Sequence, residues 1–250
     1  MRKLFILLTL SFFSQIYAQK LKKSDLLNIE KNIYKEAMSN FDLDAAKNSV
    51  YHILAIEGNS SSYLDSLAYI YFRTQKYAST VKVANKILEK KDDISILEIK
   101  AIALENLNLI KEAISIYEKM FMQKKSPALA YKLASLQSQL KRSAEAFATL
   151  KSVENMEFPK DVLVPFPSAQ KGKQQQVFLK AAYYNLLAMN AYELHNYDLA
   201  IKYFDEALKI KPDFFVAKQN KQAIELMRKK LENQSPPQPP KNNKPPKANK

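Results

Sequence analysis

Hydrophobic and polar residues alternate between residues 196 and 214 with the spacing of a helix. The segment reads NYDLAIKYFDEALKIKPDF. Asp198 is expected to cap the helix, and Pro212 is expected to end it because proline disfavours helical backbone in the preceding residue. An amphipathic helix with one buried face is therefore predicted. The apolar residues on its buried stripe are Ala200, Ile201, Phe204, Ala207 and Leu208.

A second stripe with the same spacing lies immediately upstream. Between the two stripes, residues 194–197 offer a place for a tight turn, so the two segments are predicted to form a helix hairpin. The small side chains of Ala188 and Ala200 would let the two backbones approach closely, while larger residues fill the space around them. The upstream stripe consists of Tyr184, Leu187, Ala188 and Ala191.

This pattern resembles the tetratricopeptide repeat, a helix hairpin of about 34 residues with large and small residues at fixed positions. The segment from Ala181 to Phe214 departs from the pattern where Ala191 replaces the usual aromatic residue, which here follows as Tyr192. The residues that match are Tyr184, Leu187, Ala188, Tyr197, Ala200, Phe204, Ala207 and Pro212.

One repeat cannot bury its own faces, so further copies are expected in the chain. The small residue of the second helix recurs with a constant step along the sequence, at Thr80, Ala113 and Ala146. An ordinary helical bundle is the alternative interpretation, but it does not explain a constant step. The predicted repeats lie near 27–60, 61–94, 94–127, 127–160 and 181–214.

The resemblance implies an all-α fold, a superhelical solenoid of antiparallel helix pairs, over residues 19–231. Residues 215–231 are predicted to be a C-terminal capping helix, and residues 232–250 a disordered tail rich in proline and lysine. The repeat step breaks at an insertion, 155–176, whose prolines forbid a continuous helix. Its apolar run, residues 162–166, is expected either to pack on the protein's own helices or to be offered to a partner.

The N-terminal segment, 1–18, has the features of a secretory signal peptide. Arg2 and Lys3 precede an apolar run from Leu4 to Phe13, and cleavage is expected after Ala18. An uncleaved anchor is the alternative, although the run is short for a membrane span. The chain has no cysteine, so it can form no disulfide. An exported protein is predicted, periplasmic in the first instance and secreted as the second choice.

The net charge of +14 raises the question of nucleic acid binding. Two observations weigh against it: export separates the protein from nucleic acid, and only four of the 39 basic residues are arginine. The excess lysine is expected to be solvated surface. The alternative is peripheral contact between the basic tail and an anionic membrane surface or envelope polymer.

The sequence contains no recognisable catalytic, metal or cofactor motif. Only two glycines occur, so no glycine-rich loop is available to hold a phosphate. His52 and His195 are far apart in sequence, and neither belongs to a metal-binding or nucleophile motif. No enzyme activity, metal or cofactor is predicted.

The resemblance implies instead that the first helices of the repeats line a concave surface that binds a protein or peptide. The leading hypothesis is a non-catalytic scaffold or adaptor of the cell envelope, and an accessory subunit of an envelope-polymer enzyme is an alternative. A further alternative is a co-chaperone-like receptor for acidic C-terminal peptides, which in this family uses a clamp of lysine, asparagine and arginine. Here the clamp positions hold Lys31, Lys35, Ser66, Ser95 and Ile99, so only Lys31 fits.

The repeat pattern also nominates the residues of the binding surface. In the family, certain fixed positions on the first helix of each repeat face the concave side, and the residues of this chain at those positions are nominated. The alternative for Tyr69, Phe72 and Tyr192 is that they pack against neighbouring helices. The nominated residues are Asp65, Tyr69, Phe72, Arg73, Glu98, Ile102, Glu105, Asn106, Tyr131, Ser135, Gln139, Asn185, Met189, Tyr192 and Glu193.

Overall fold

The computed structural model describes residues 22–58 and 61–234. The predicted signal peptide, residues 1–18, lies outside the described residues, as does the predicted tail from residue 235 onward. Residues 232–234, predicted as the start of the tail, form the end of the last helix. No helix in the described part of the chain is long and apolar enough to cross a membrane.

Helices in antiparallel pairs account for most of the described chain, which confirms the predicted fold of tetratricopeptide type. A short strand pair interrupts the series before the fifth helix pair. The first six helices are α1 (Lys23–Ser39), α2 (Leu43–Glu57), α3 (Tyr63–Arg73), α4 (Tyr77–Leu88), α5 (Ile94–Asn106) and α6 (Ile110–Gln123). The remaining elements are α7 (Pro127–Gln139), α8 (Ser143–Lys151), β1 (Leu163–Pro167), β2 (Gln174–Phe178), α9 (Leu179–Glu193), α10 (Tyr197–Ile210) and α11 (Phe215–Gln234).

The described part of the chain divides into two compact units, and the boundary between them lies between Met120 and Phe121. In the first unit α2 packs against α3, α4 against α5, and α3 against α5. In the second unit α9 contacts α7, α8 and α10, and α10 contacts α11. Within each unit, therefore, successive first helices of the pairs are neighbours, as the repeat pattern requires.

The turn inside each helix pair has the same backbone conformation. One non-glycine residue in each turn has a φ of about +60°, in the left-handed region that side chains normally avoid. His195 occupies the turn predicted at residues 194–197. The residues with this conformation are Phe41, Gln75, Asn108, Lys141 and His195, and the middle three follow the same constant step as the small residues of the second helices.

The small residues that recur on the second helices belong to the buried core. All are completely buried, and Thr80, the one polar member, donates its hydroxyl to the carbonyl oxygen of Lys76 at 3.1 Å. The buried hydroxyl therefore has a hydrogen-bond partner inside its own helix. These residues are Ala46, Thr80, Ala113, Ala146 and Ala200.

Helix starts follow local side-chain chemistry, with one correction to the sequence prediction. Ser126 caps α7, accepting from the backbone N–H of Leu129, and Pro127 occupies the first helical position. The prediction that Asp198 caps α10 is wrong. Asn196 is the cap, because its side-chain oxygen accepts from the Leu199 N–H at 3.2 Å, whereas Asp198 lies within the first turn of the helix.

The insertion contains a β-hairpin that the all-α prediction missed. Strands β1 and β2 pair antiparallel, with Val164 opposite Val177 and Phe166 opposite Gln175. Val177 is fully buried, and the ring of Phe166 contacts that of Phe214 edge to face, with centroids 4.8 Å apart. One face of the hairpin therefore packs on the protein's own helices.

The capping helix α11 has basic residues on the side that contacts α10. Lys221 pairs with Asp205 at 2.7 Å, and Arg228 pairs with Asp198 at 2.7 Å. Asp205 and Asp198 both lie on α10, so these ion pairs link the two helices at the border of their contact. Ile224, on the same helix as the basic residues, is buried.

Candidate functional site

The nominated residues lie on the first helices of four helix pairs, two pairs in each unit. In the first unit they are on α3 and α5, which contact each other, and in the second on α7 and α9, which also contact each other. The structure thus brings the nominated residues together within each unit. Their surroundings differ strongly from one helix to the next.

Helix α3 carries the most accessible aromatic residue of the set. Tyr69 is 40% exposed, and Arg73, one turn later, donates to its hydroxyl at 2.7 Å while lying 5.6 Å from its ring centre. Phe72 is half-buried, with its ring 6.5 Å from that of Tyr77. Asp65 accepts from Lys91 at 2.7 Å, and this hydrogen bond is the main cause of the raised pKa of Lys91.

On α5 the nominated residues are mainly occupied by contacts inside the unit. Glu105 accepts from the hydroxyl of the buried Tyr117 at 2.7 Å, and burial together with this bond raises the pKa of Tyr117. Asn106 is exposed but donates to the carbonyl oxygen of Ile102, which is itself half-buried. Glu98 is exposed.

Helix α7 presents a more enclosed surface. Tyr131 is half-buried, and burial raises the pKa of its hydroxyl to about 12. Ser135 donates to the carbonyl oxygen of Tyr131 at 2.7 Å, so its hydroxyl is used inside the helix. Gln139 is exposed at the end of the helix.

Helix α9 holds its nominated residues in contacts with other elements. Met189 accepts from the side-chain amide of Asn220 at 3.3 Å, and the hydroxyl of Tyr192 lies 3.6 Å from the sulfur of Met227. Both partners are on α11. Glu193 pairs with Lys141 at 3.7 Å.

Asn185, also on α9, is only 6% exposed. Its side-chain oxygen is buried and has no hydrogen-bond partner among the described residues. A buried carbonyl oxygen without a partner loses its hydration without compensation. Asn190, further along the same helix, differs because its oxygen accepts from Ser138 at 2.9 Å.

The one residue that fits the acidic-peptide clamp already has a carboxylate partner within the chain. The ammonium group of Lys31 pairs with Glu57 at 2.6 Å, and this hydrogen bond is the main cause of the raised pKa of Lys31. Ser66, at another clamp position, accepts from the hydroxyl of Tyr34. The geometry therefore disfavours the co-chaperone-like alternative.

The two histidines have separate environments. His52 hydrogen bonds to Glu30 at 2.8 Å, and His195 lies 3.4 Å from the hydroxyl of Tyr197. Within residues 22–58 and 61–234, no three histidine, aspartate or glutamate side chains come together as a metal site would require.

Sequence reasoning missed a cavity beside the hairpin. Its volume is about 430 Å³, and it lies where β2 runs into α9. The sequence held signals of the hairpin that borders this cavity. They are the apolar, β-branched run at residues 162–164 and the glycine at position 172, which has a φ of +79° in the hairpin loop. The lining residues are Met156, Glu157, Phe158, Pro159, Lys160, Phe178, Lys180 and Ile210.

Comparison with known proteins agrees with this architecture. Residues 181–214 match the family model described as "Tetratricopeptide repeat". No curated protein matches the chain.

Among solved structures, YrrB, described as a TPR protein with an unusual peptide-binding site, superposes with a TM-score of 0.60 at 14% identity. The match covers 84% of this chain and 97% of YrrB. A MamA structure gives a TM-score of 0.58 at 14% identity, covering 86% of this chain and 100% of MamA. A second MamA structure gives 0.56 at 15% identity, covering 72% and 95%. These likenesses establish the fold.

Proposed function

We propose that this chain, whose fold is that of the tetratricopeptide repeat proteins, is an exported, non-catalytic scaffold that binds a protein or peptide through the first helices of its repeats. The observation that carries the proposal is the exposed pair Tyr69 and Arg73 on α3. The solved protein YrrB, with the same fold, is described as having a peptide-binding site, which supports a partner of this class.

Tyr69 and Arg73 have the properties of an interface anchor. A hydrogen bond and a cation–ring contact between the two side chains favour one arrangement of the pair, which lowers the side-chain entropy lost on binding. Tyrosine and arginine are also the residue types that contribute most to protein interfaces. Phe72 on the same helix adds a half-buried apolar surface beside them.

The test of binding uses the exported form of the protein as bait in an envelope extract, followed by identification and purification of the captured partner. Replacing both Tyr69 and Arg73 by alanine is expected to weaken binding of that purified partner by about a hundredfold, the effect typical of hot-spot residues. The matched control replaces Asn85 and Lys86, exposed residues of α4, with alanine, and binding should stay within about twofold. Equal affinity of all three proteins would exclude α3 as the site.

Location in the periplasm is supported by the sequence of residues 1–18 and by the lack of cysteine. The test is mass spectrometry of the N-terminus of the protein purified from its native source. The expected first residue is Gln19, and the protein should be released with the periplasmic fraction. Recovery of intact Met1 or Arg2 would rule out cleavage.

A further inference from the structure

The two edges of the β-hairpin are chemically different. Leu179 donates its N–H to the carbonyl oxygen of Val162 at 2.9 Å, and Ser168 donates to that of Lys173 at 3.0 Å. Both bonds fit the register of the strand pair, in which bonded and non-bonded residue pairs alternate. The odd-numbered residues of β1 and the even-numbered residues of β2 therefore direct their backbone groups away from the partner strand.

On the outer edge of β1 the positions are filled by Leu163, Pro165 and Pro167. Proline has no N–H, so two of the three donors that a further strand would need are missing. At these positions the prolines also leave the bonds between β1 and β2 intact. This edge is closed to an additional strand in the way that natural sheet edges usually are.

On the outer edge of β2 the positions are filled by Gln174, Gln176 and Phe178. All three residues are exposed, and none is proline or charged. By the register their backbone N–H groups point away from β1, and outside the strand pair they donate to no backbone carbonyl of the described residues. This edge is therefore a free template for an extended segment.

The end of this open edge leads to the cavity of about 430 Å³. Phe178 is 46% exposed and lines the cavity, together with Met156 and Ile210. An apolar side chain at the end of an added strand could enter it. The edge thus offers backbone hydrogen bonds for affinity and a cavity for side-chain selection, which is the usual division in strand addition.

Uncompensated positive charge flanks the open strand. Lys171 and Lys173 precede β2, and Lys160 and Lys180 line the cavity at its other end. Within the described residues, none of the four pairs with a carboxylate, and Lys180 instead lies over the ring of Phe158. Glu157 is the only acidic residue lining the cavity, so positive charge is in excess there.

This charge pattern selects the occupant of the edge. A second copy of β2, added antiparallel, would bring the lysines at one end of each strand close to those at the opposite end of the other, and their repulsion opposes such pairing. An extended segment with acidic residues at both ends would meet the same lysines with favourable charge.

We infer that the outer edge of β2 is a second binding site, separate from the helical surface, which takes an extended peptide of a partner protein as an additional strand. The peptide carries acidic residues at both ends of the paired segment and a large apolar side chain that enters the cavity beside Phe178. This inference does not depend on binding at α3.

The experiment selects random decapeptides displayed on phage against the full exported protein. Peptides with acidic residues on both sides of a β-branched or aromatic segment are expected. Synthetic versions are then tested against Gln176→Pro, which removes one outward N–H and lies opposite Pro165. Affinity should fall by about tenfold or more, whereas Gln176→Ala, which keeps the N–H, should bind within about twofold.

A second measurement keeps the test decisive if Gln176→Pro does not fold. Two N-methylated versions of the selected peptide are made, one methylated at the odd-numbered backbone nitrogens and one at the even-numbered ones. Only one of the two sets of N–H groups faces β2, so one version should lose binding to the unaltered protein and the other should keep it. Exchanging the acidic ends of the peptide for lysine should also abolish binding, and the protein variant K173E/K180E should restore it.

Three results would overturn the inference. The first is a selection that yields no peptide whose binding depends on the N–H of Gln176. The second is equal binding of the two N-methylated versions. The third is self-association in sedimentation velocity that Gln176→Pro removes, because it would identify a second copy of the chain as the occupant.

Discussion

Helices α3 and α9 are the first helices of two repeats, and the sequence nominated four residues on each. On α3, Tyr69 and Arg73 are exposed and bond to each other. On α9, Asn185 is buried, and Met189 and Tyr192 contact side chains of α11. At equivalent repeat positions, Tyr69 is exposed whereas Met189 is half-buried, and Asp65 is half-buried whereas Asn185 is buried. Arg73 and Glu193, which are also equivalent, are both exposed.

The difference shows that a repeat position fixes the direction of a side chain but not its accessibility. The helix pair α9 and α10 is followed by the capping helix α11, whose Asn220 and Met227 contact Met189 and Tyr192 of α9. A terminal helix in a repeat protein must cover the apolar face of the last repeat. Met189 and Tyr192 therefore pack against the capping helix. Packing was the alternative considered for Tyr192 from the sequence, whereas Tyr69 stays accessible.

The largest expected effect tests the register on which the comparison rests. Ala200 is completely buried, so Ala200→Leu should overpack the helix contact and lower the free energy of unfolding by about 1 to 3 kcal/mol. Lys202→Leu, close by in sequence and exposed, is the control and should change it by less than about 0.5 kcal/mol. Urea denaturation measures both, and equal shifts would show that the assigned register of α10 is wrong.

The second prediction concerns the contact between α9 and α11. Changing both Met189 and Tyr192 to alanine removes two half-buried side chains and should cost about 2 kcal/mol of unfolding free energy. Hydrogen exchange should show the loss concentrated in α11, because that helix supplies their partners. If the backbone amides of α11 exchanged as slowly as in the unaltered protein, Met189 and Tyr192 would not be the residues that stabilise the capping helix.

A smaller effect of opposite sign is expected at Asn185. Its buried oxygen has no partner among the described residues, so Asn185→Leu should raise the free energy of unfolding by about 1 kcal/mol, since an unpaired polar group is replaced by an apolar one of similar size. Asn190→Leu is the control and should be destabilising, because Asn190 accepts from Ser138. Thermal unfolding of both variants gives the signs, and a destabilised Asn185→Leu would mean that this amide is satisfied in solution.

The smallest expected effect is on α3 itself. Replacing both Tyr69 and Arg73 by alanine should change the unfolding free energy by less than about 0.5 kcal/mol, because both side chains are exposed and contact mainly each other. Circular dichroism and urea denaturation measure this. A loss comparable to that of the Met189 and Tyr192 double variant would place Tyr69 in the core and remove the contrast between the two helices.

Much of the helical architecture could be predicted because it depends on local periodicity. Ala200 and Phe204 lie on the one apolar face of their helix, which is the face expected to be buried, and both residues are fully buried. The recurrence of Thr80, Ala113 and Ala146 located completely buried positions on the second helices for the same reason. Asp198 was mistaken for a cap because capping depends on the backbone conformation of a single residue, and Asn196, two residues earlier, offers the same chemistry.

The hairpin was harder to predict, since prolines in a short apolar run are usual signs of an irregular loop. Pro165 and Pro167 are compatible with a strand only because both fall on its outward-bonding edge, and that depends on the register with β2. Nothing in the local sequence of β1 specifies this register. Contact of Phe166 with Phe214, which lies far along the chain beyond α10, fixes which face of the hairpin is buried.

The amino-acid sequence was enough to predict where the helices are, which of their faces are apolar, and which residues the repeat pattern directs toward a common surface. These properties follow from the period of the helix and from residue size. Tertiary contacts, by contrast, leave Tyr69 accessible, bury Asn185, partly cover Tyr192 and leave one edge of the hairpin open. Accessibility depends on which distant segment comes to lie against a surface, and the period of the covered helix carries no information about that segment.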